Sequence, residues 1–201
     1  MKKQNAKKIV LLTLCAVALV VITVLGTLAY FTSTDNVKNS FTAGKVVISL
    51  DEGKLSSDGR TVDSGVARVK ANTYNIVPGA KYDKDPVVHV EKGSENAWIF
   101  VKVDNGISAI EDSTNTIAAQ IATNGWTALG VAYPGVYYRE YTQDNTKDVD
   151  YKVFETFKVS TSETAATLSS GGYTSKSVDV TAYAIQKETL TSATDAWAAL
   201  Q

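Results

Sequence analysis

One histidine, His89, stands in the stretch "PVVHV", so any acid–base or metal chemistry built on imidazole has a single place to occur. A zinc protease of the helical type needs two histidines a turn apart with a glutamate between them, and this sequence cannot supply them. A serine–histidine–aspartate arrangement would have to recruit His89, and no serine stands in a G-x-S-x-G elbow. "SSGG" lacks the lysine and the strand-to-helix junction of a phosphate cradle. His89 is therefore expected on a strand face, and no catalytic residue and no enzyme activity are expected.

Carboxylates offer a second kind of chemistry. "YDKDP" places Asp83 and Asp85 two apart, on one side of an extended chain. "TQDNTKDVD" gathers Asp144, Asp148 and Asp150 in one loop. Either group has the oxygen ligands that calcium favours, but neither has the glycine and the closing glutamate of the twelve-residue calcium loop. Solvated turns are the competing reading of both, and the expectation is no metal and no cofactor. Aromatic side chains are more plentiful: ten tyrosines and three tryptophans, all after residue 29. An exposed row of them would bind sugars; packed inward they would form core and cross-strand pairs. Tyr137, Tyr138 and Tyr141 alternate imperfectly, which leaves at least one of them exposed.

The elements that must position these residues follow a period of two. "KVVISL" sets Val46, Ile48 and Leu50 against Lys45, Val47 and Ser49. "PVVHV" and "AWIFVKVD" continue the pattern, and the second is apolar on both faces, as a strand covered on both sides requires. "GVYYREY" and "YKVFETFKVS" read as strands joined by "TQDNTKDVD" as a hairpin loop, with Tyr151, Val153, Phe157 and Val159 on one face. "KSVDVTAYAIQ" is the last long strand, preceded by a flexible turn at "SSGGY". Two short helices are expected. "TNTIAAQIATNG" has Thr114 or Asn115 as N-cap, Ile117 and Ile121 on one face and Gly125 as its stop; "SATDAWAALQ" carries Trp197 and Leu200. Seven or eight strands with this spacing predict an all-β fold, a jelly-roll-like antiparallel β-sandwich.

Ahead of these strands lies a leader. "MKKQNAKK" is followed by "IVLLTLCAVALVVITVLGTL", about 20 uncharged residues, enough to cross a bilayer core as a helix. The lysines hold the N-terminal end in the cytoplasm. Thr27 and Ala29 are small residues two apart, as a signal peptidase prefers; an uncleaved anchor is the alternative. The only cysteine, Cys15, lies inside the apolar run with Leu14 before it and reads as filler, so the exported part has no thiol for a disulfide or a metal. Four of the chain's 20 basic side chains and none of its 21 acids lie in residues 1–29, which leaves 16 bases against 21 acids, a net of −5. A mildly acidic remainder with no basic block argues against a nucleic-acid partner, and none is expected. No apolar tail or sorting signal precedes Gln201, so no C-terminal anchor is expected.

The junction itself, "GTLAYFTSTDNVKNSFTAGKVVISL", resembles the N-terminal signature of the TasA and camelysin family of secreted Gram-positive matrix proteins. The shared features are Gly26-Thr27, Ala29 followed by Tyr30-Phe31, a polar turn, and "NSFTAGKV" leading into an alternating strand. "IVPGAKYDKDPVVHV" and "DAWAAL" also look like parts of exported proteins with such leaders. The resemblance implies cleavage between Ala29 and Tyr30 by the signal peptidase SipW, and a jelly-roll domain that polymerises into biofilm fibres. In that family the freed N-terminal segment of one subunit fills a gap in the next. Here residues 30–44 are the segment concerned, with Tyr30, Phe31, Val37 and Phe41 as its candidate anchors, each aromatic worth about 2 kcal/mol on burial. The metalloprotease activity attached to the name camelysin finds no zinc motif in this chain.

The expectation is thus residues 1–29 as a signal peptide and 30–201 as one secreted domain, a fibre subunit or matrix component in the extracellular or cell-surface matrix. Its partners would be the signal peptidase and then a second copy or a related exported protein, with the membrane touched through the leader alone. A monomeric surface adhesin or carbohydrate-binding sandwich is the rival from another class, and a camelysin-like metalloprotease the third.

Overall fold

The computed structural model describes residues 32–34 and 45–201. The leader helix, Cys15, the Ala29–Tyr30 junction, and Phe31, Val37 and Phe41 lie outside the described residues. Among the described residues the chain is mostly β, with antiparallel sheets and three short helices. No described helix is long and apolar enough to cross a membrane.

The described residues form ten strands: β1 (Thr32–Thr34), β2 (Ile48–Asp51), β3 (Lys81–Asp83), β4 (Val87–Val90), β5 (Ala97–Asn105), β6 (Thr127–Ala128), β7 (Val136–Tyr141), β8 (Val149–Lys152), β9 (Thr156–Lys158) and β10 (Val178–Gln186). The helices are α1 (Ile117–Thr123), α2 (Ala165–Ser170) and α3 (Ala193–Ala198). A five-stranded sheet has the order β1-β10-β5-β7-β6, a three-stranded sheet β2-β4-β8, and β3 pairs with β9.

All three sheets contribute to one core. Ile99 and Val101 of β5, Ala182 and Ala184 of β10, Val88 and Val90 of β4, and Tyr82 and Phe157 of the β3–β9 pair meet there. Tyr82 and Phe157 stack at 4.9 Å, and Tyr74 meets Phe157 edge-on at 5.1 Å. The opposite face of β5 is also covered, as its uninterrupted apolar run predicts. Trp98 and Phe100 join Ile185, Val136, Ala196 and Trp197 in a second cluster, with α3 as its lid. A six-residue helix is far below the length that is stable alone in water, so Trp197 holds α3 in place rather than the reverse.

Several expectations are corrected. "YKVFETFKVS" is not one strand: β8 ends at Lys152, β9 begins at Thr156, and the two lie in different sheets. Val153 and Phe154 are consecutive and both fully buried, which a strand with one solvent face cannot achieve. Side chains from α1 and the turn after it replace the lost ladder bonds. Trp126 Nε1 donates to Lys152 O (2.8 Å), Asn124 Nδ2 to Val153 O (3.1 Å), and Gln120 Oε1 accepts from Thr156 N (3.1 Å). "TQDNTKDVD" is accordingly a crossing between sheets and not a hairpin, because β7 pairs with β5 and β6 while β8 pairs with β4. The N-cap of α1 is Thr116, whose Oγ1 accepts from Ala119 N at 3.2 Å; Thr114 instead donates to Asp112. The "SSGGY" segment ends a third helix, α2, which a capping box at Thr164 opens.

Candidate functional site

Residues 32–34 lie on the edge of the five-stranded sheet. β1 runs antiparallel to β10, pairing Thr32 with Ile185, Ser33 with Ala184 and Thr34 with Tyr183. On its other side β10 pairs with β5 over all nine of its residues, from Val178 with Asn105 to Gln186 with Ala97. Among the described residues, no strand pairs with the outer edge of β10 from Val178 to Ala182. A cleft of about 530 Å³ opens beside this stretch, lined in part by Tyr74, Ile76, Tyr173, Lys176, Val178 and Val180. An unpaired strand edge next to a partly apolar cleft can accept backbone hydrogen bonds and alternate side chains from an extended segment.

His89 lies on β4, on the outward side of the three-stranded sheet. Its Nδ1 is 2.7 Å from Asp150 Oδ1 on β8 and its Nε2 is 3.0 Å from Asp51 Oδ1 on β2. The register explains this: Asp150 stands directly across from His89, and Asp51 diagonally beyond Ser49. Both ring nitrogens face carboxylate acceptors, so the arrangement favours the imidazolium, which has two N–H donors. Burial opposes that charge, but the hydrogen bonds and attraction from Asp51 and Asp150 outweigh it and hold His89 above its ordinary value. An imidazole engaged at both nitrogens clasps three strands and presents no free nitrogen to a substrate.

The acidic candidates are tied into this network or into their own loops. Arg68 forms ion pairs with Asp51 and, at 2.9 Å, with Asp85 Oδ2. Asp85 Oδ1 accepts from Gly53 N at 2.6 Å, and Asp83 Oδ2 from Val62 N at 3.1 Å. Asp144 Oδ1 closes a turn by accepting from Thr146 N (2.7 Å), and Asp148 Oδ1 accepts from Lys92 N (2.9 Å). The Arg68 guanidinium stands where a cation between Asp51 and Asp85 would otherwise go. Among the described residues no three His, Cys, Asp or Glu side chains are placed to hold a metal ion.

The aromatics pack on one another. Trp98, Trp126 and Trp197 are all buried. Tyr141 is buried, and Tyr137 and Tyr138 are half-buried, so none of the three is exposed as the sequence suggested. The imperfect alternation is absorbed by neighbours: Trp98 meets the Tyr138 ring edge-on at 5.7 Å.

A polar group that the sequence reading passed over lies at the end of β2. Glu52 is buried, and it binds Lys84 and Asn72. Its signal was present in the alternation of Val46, Ile48 and Leu50, which carries the inward parity on to position 52. Comparison with family models, with curated proteins and with solved structures finds no match to this chain.

Proposed function

We propose that the chain is a secreted structural protein, a fibre subunit or matrix component resembling the TasA and camelysin group, assembling by exchange of its N-terminal strand. On this reading residues 1–29 are removed between Ala29 and Tyr30, and the three sheets around one core form a jelly-roll-like β-sandwich. The observation that carries the proposal is the short β1 on the edge of β10. Among the described residues three pairings hold it there, and the same edge continues past it toward the cleft. A strand held by so few pairings opens at little cost. Pairings made within one chain can be remade between two, since strand exchange reuses native contacts at low cost. Head-to-tail exchange of this kind adds subunits to an open filament instead of closing a ring. Before cleavage the segment is continuous with a membrane-embedded run and cannot reach a neighbour, so proteolysis acts as the switch.

Size measured by light scattering tests this. A chain of residues 30–201 is expected to grow into fibres visible by electron microscopy, and one beginning at Phe41 to stay monomeric. If residues 30–201 remain monomeric at every concentration and pH, assembly by this strand is refuted.

A further inference from the structure

The buried carboxylate of Glu52 holds a primary amine and a carboxamide at once. Lys84 Nζ lies 2.5 Å from Oε2, and Asn72 Nδ2 donates to Oε1 at 3.0 Å. The side chains of Lys84 and Glu52 are only 12% and 5% exposed. The amide is held rigidly: its Nδ2 also donates to Gly53 O at 2.8 Å, and its Oδ1 accepts from Leu55 N at 2.9 Å. The Tyr74 ring lies 5.9 Å from the ammonium. An ion pair needs Lys84 and Glu52 alone; it does not need a carboxamide on the second carboxylate oxygen with a backbone donor on its carbonyl.

We propose that Lys84 and Asn72 form an intramolecular isopeptide bond, with Glu52 as the proton carrier. Lysine is a nucleophile only as the neutral amine, and the adjacent carboxylate is the group that accepts its proton. The Nζ lone pair attacks Asn72 Cγ. Negative charge develops on Oδ1, where the Leu55 N–H already donates, as in an oxyanion hole. Glu52 passes its proton to Nδ2, the Cγ–Nδ2 bond breaks, and ammonia leaves through the adjoining cleft, which Glu52, Asn72 and Lys84 all line. Of the two protons that Nζ gives up, one departs with the ammonia and the other converts it to ammonium. Nothing is oxidised or reduced, and no co-reactant is required. The product ties the segment before β3 to the β3–β4 junction, on the wall of the cleft beside β10.

Intact mass of the purified chain, followed by a tryptic map, tests this independently of any assembly. The expected mass is short by one ammonia, with a branched peptide joining residues 71–81 to 82–92. Glu52→Gln and Lys84→Arg should each restore the full mass. Asn72→Asp should lose water instead and give the same cross-linked product. A wild-type mass with no ammonia missing overturns the proposal, as does ammonia lost at Asn72 alone while Lys84 stays unlinked, the mark of a succinimide.

Discussion

Trp197→Ala probes whether the outer face of β5 is core. Trp197 is 4% exposed and meets the Phe100 ring at 5.3 Å and the Tyr183 ring edge-on at 5.2 Å. A buried tryptophan removes about 200 Å² from water, worth ~5 kcal/mol at ~25 cal/mol/Å². Residual burial in the unfolded chain lowers that by roughly 10–40%, and the remainder agrees with the ~3–5 kcal/mol measured for large-to-alanine changes in cores. The expected loss is therefore about 4 kcal/mol, a large share of the ~5–15 kcal/mol that holds a domain together. With a urea slope of ~2 kcal/mol/M, the unfolding midpoint should fall by about 2 M. Trp197→Phe should keep most of the contact and lose less than half as much. Val131→Ser, at a fully exposed position, should change the midpoint negligibly. A shift below about 0.5 M for Trp197→Ala would refute the reasoning, because α3 would then be an ornament on a sheet that is stable without it.

The His89 clasp predicts a pH dependence of known sign. His89 is held above its ordinary value of 6.5, so its contribution is fully present below 6.5 and is lost as pH rises through the folded value. Asp51 is held below its ordinary 3.8, since Arg68 and His89 outweigh the effect of its burial, and its contribution is lost as pH falls through that lower value. Denaturant midpoints of the wild type should thus decline from pH 5.5 to pH 9 relative to those of His89→Gln; parallel curves would contradict the clasp. Gly135 has φ +76°, and a Cβ there would lie 2.6 Å from Val103 O, so Gly135→Ala should lose about 1–3 kcal/mol in the same assay. An unchanged midpoint would mean that the turn into β7 relaxes freely.

The long strands were legible because burial on one or two faces leaves a direct mark on sequence. β5 is apolar at both parities and is covered on both sides. The break between β8 and β9 left no such mark, because its cause lies elsewhere. Trp126 and Asn124 donate to the stranded carbonyls and Gln120 accepts from a stranded N–H, all from the α1 region, and nothing local announces them. β3 and β6, three and two residues long, are shorter than any pattern of alternation can reveal. Each of the two acidic groups singled out by spacing has a member held by a side chain distant in sequence: Asp85 faces Arg68, and Asp150 faces His89. Glu52 could be read from parity, but Asn72 and Lys84 reach it from 20 and 32 residues away, a proximity that only the folded chain creates.

Cross-linking by mixed cysteine variants separates exchange from fold-back most directly. Thr34 and Tyr183 are Cα partners, and the ~4.5–5.5 Å separation of such pairs suits a disulfide. After removal of residues 1–29 the chain has no other cysteine. Thr34→Cys and Tyr183→Cys chains, each of residues 30–201, are mixed as assembled material and oxidised. Strand exchange predicts a disulfide between one chain of each kind. Assembled material in which the mixture stays uncross-linked, while a chain carrying both substitutions closes its own disulfide as a monomer, would show that β1 never leaves its own sheet and would contradict the account.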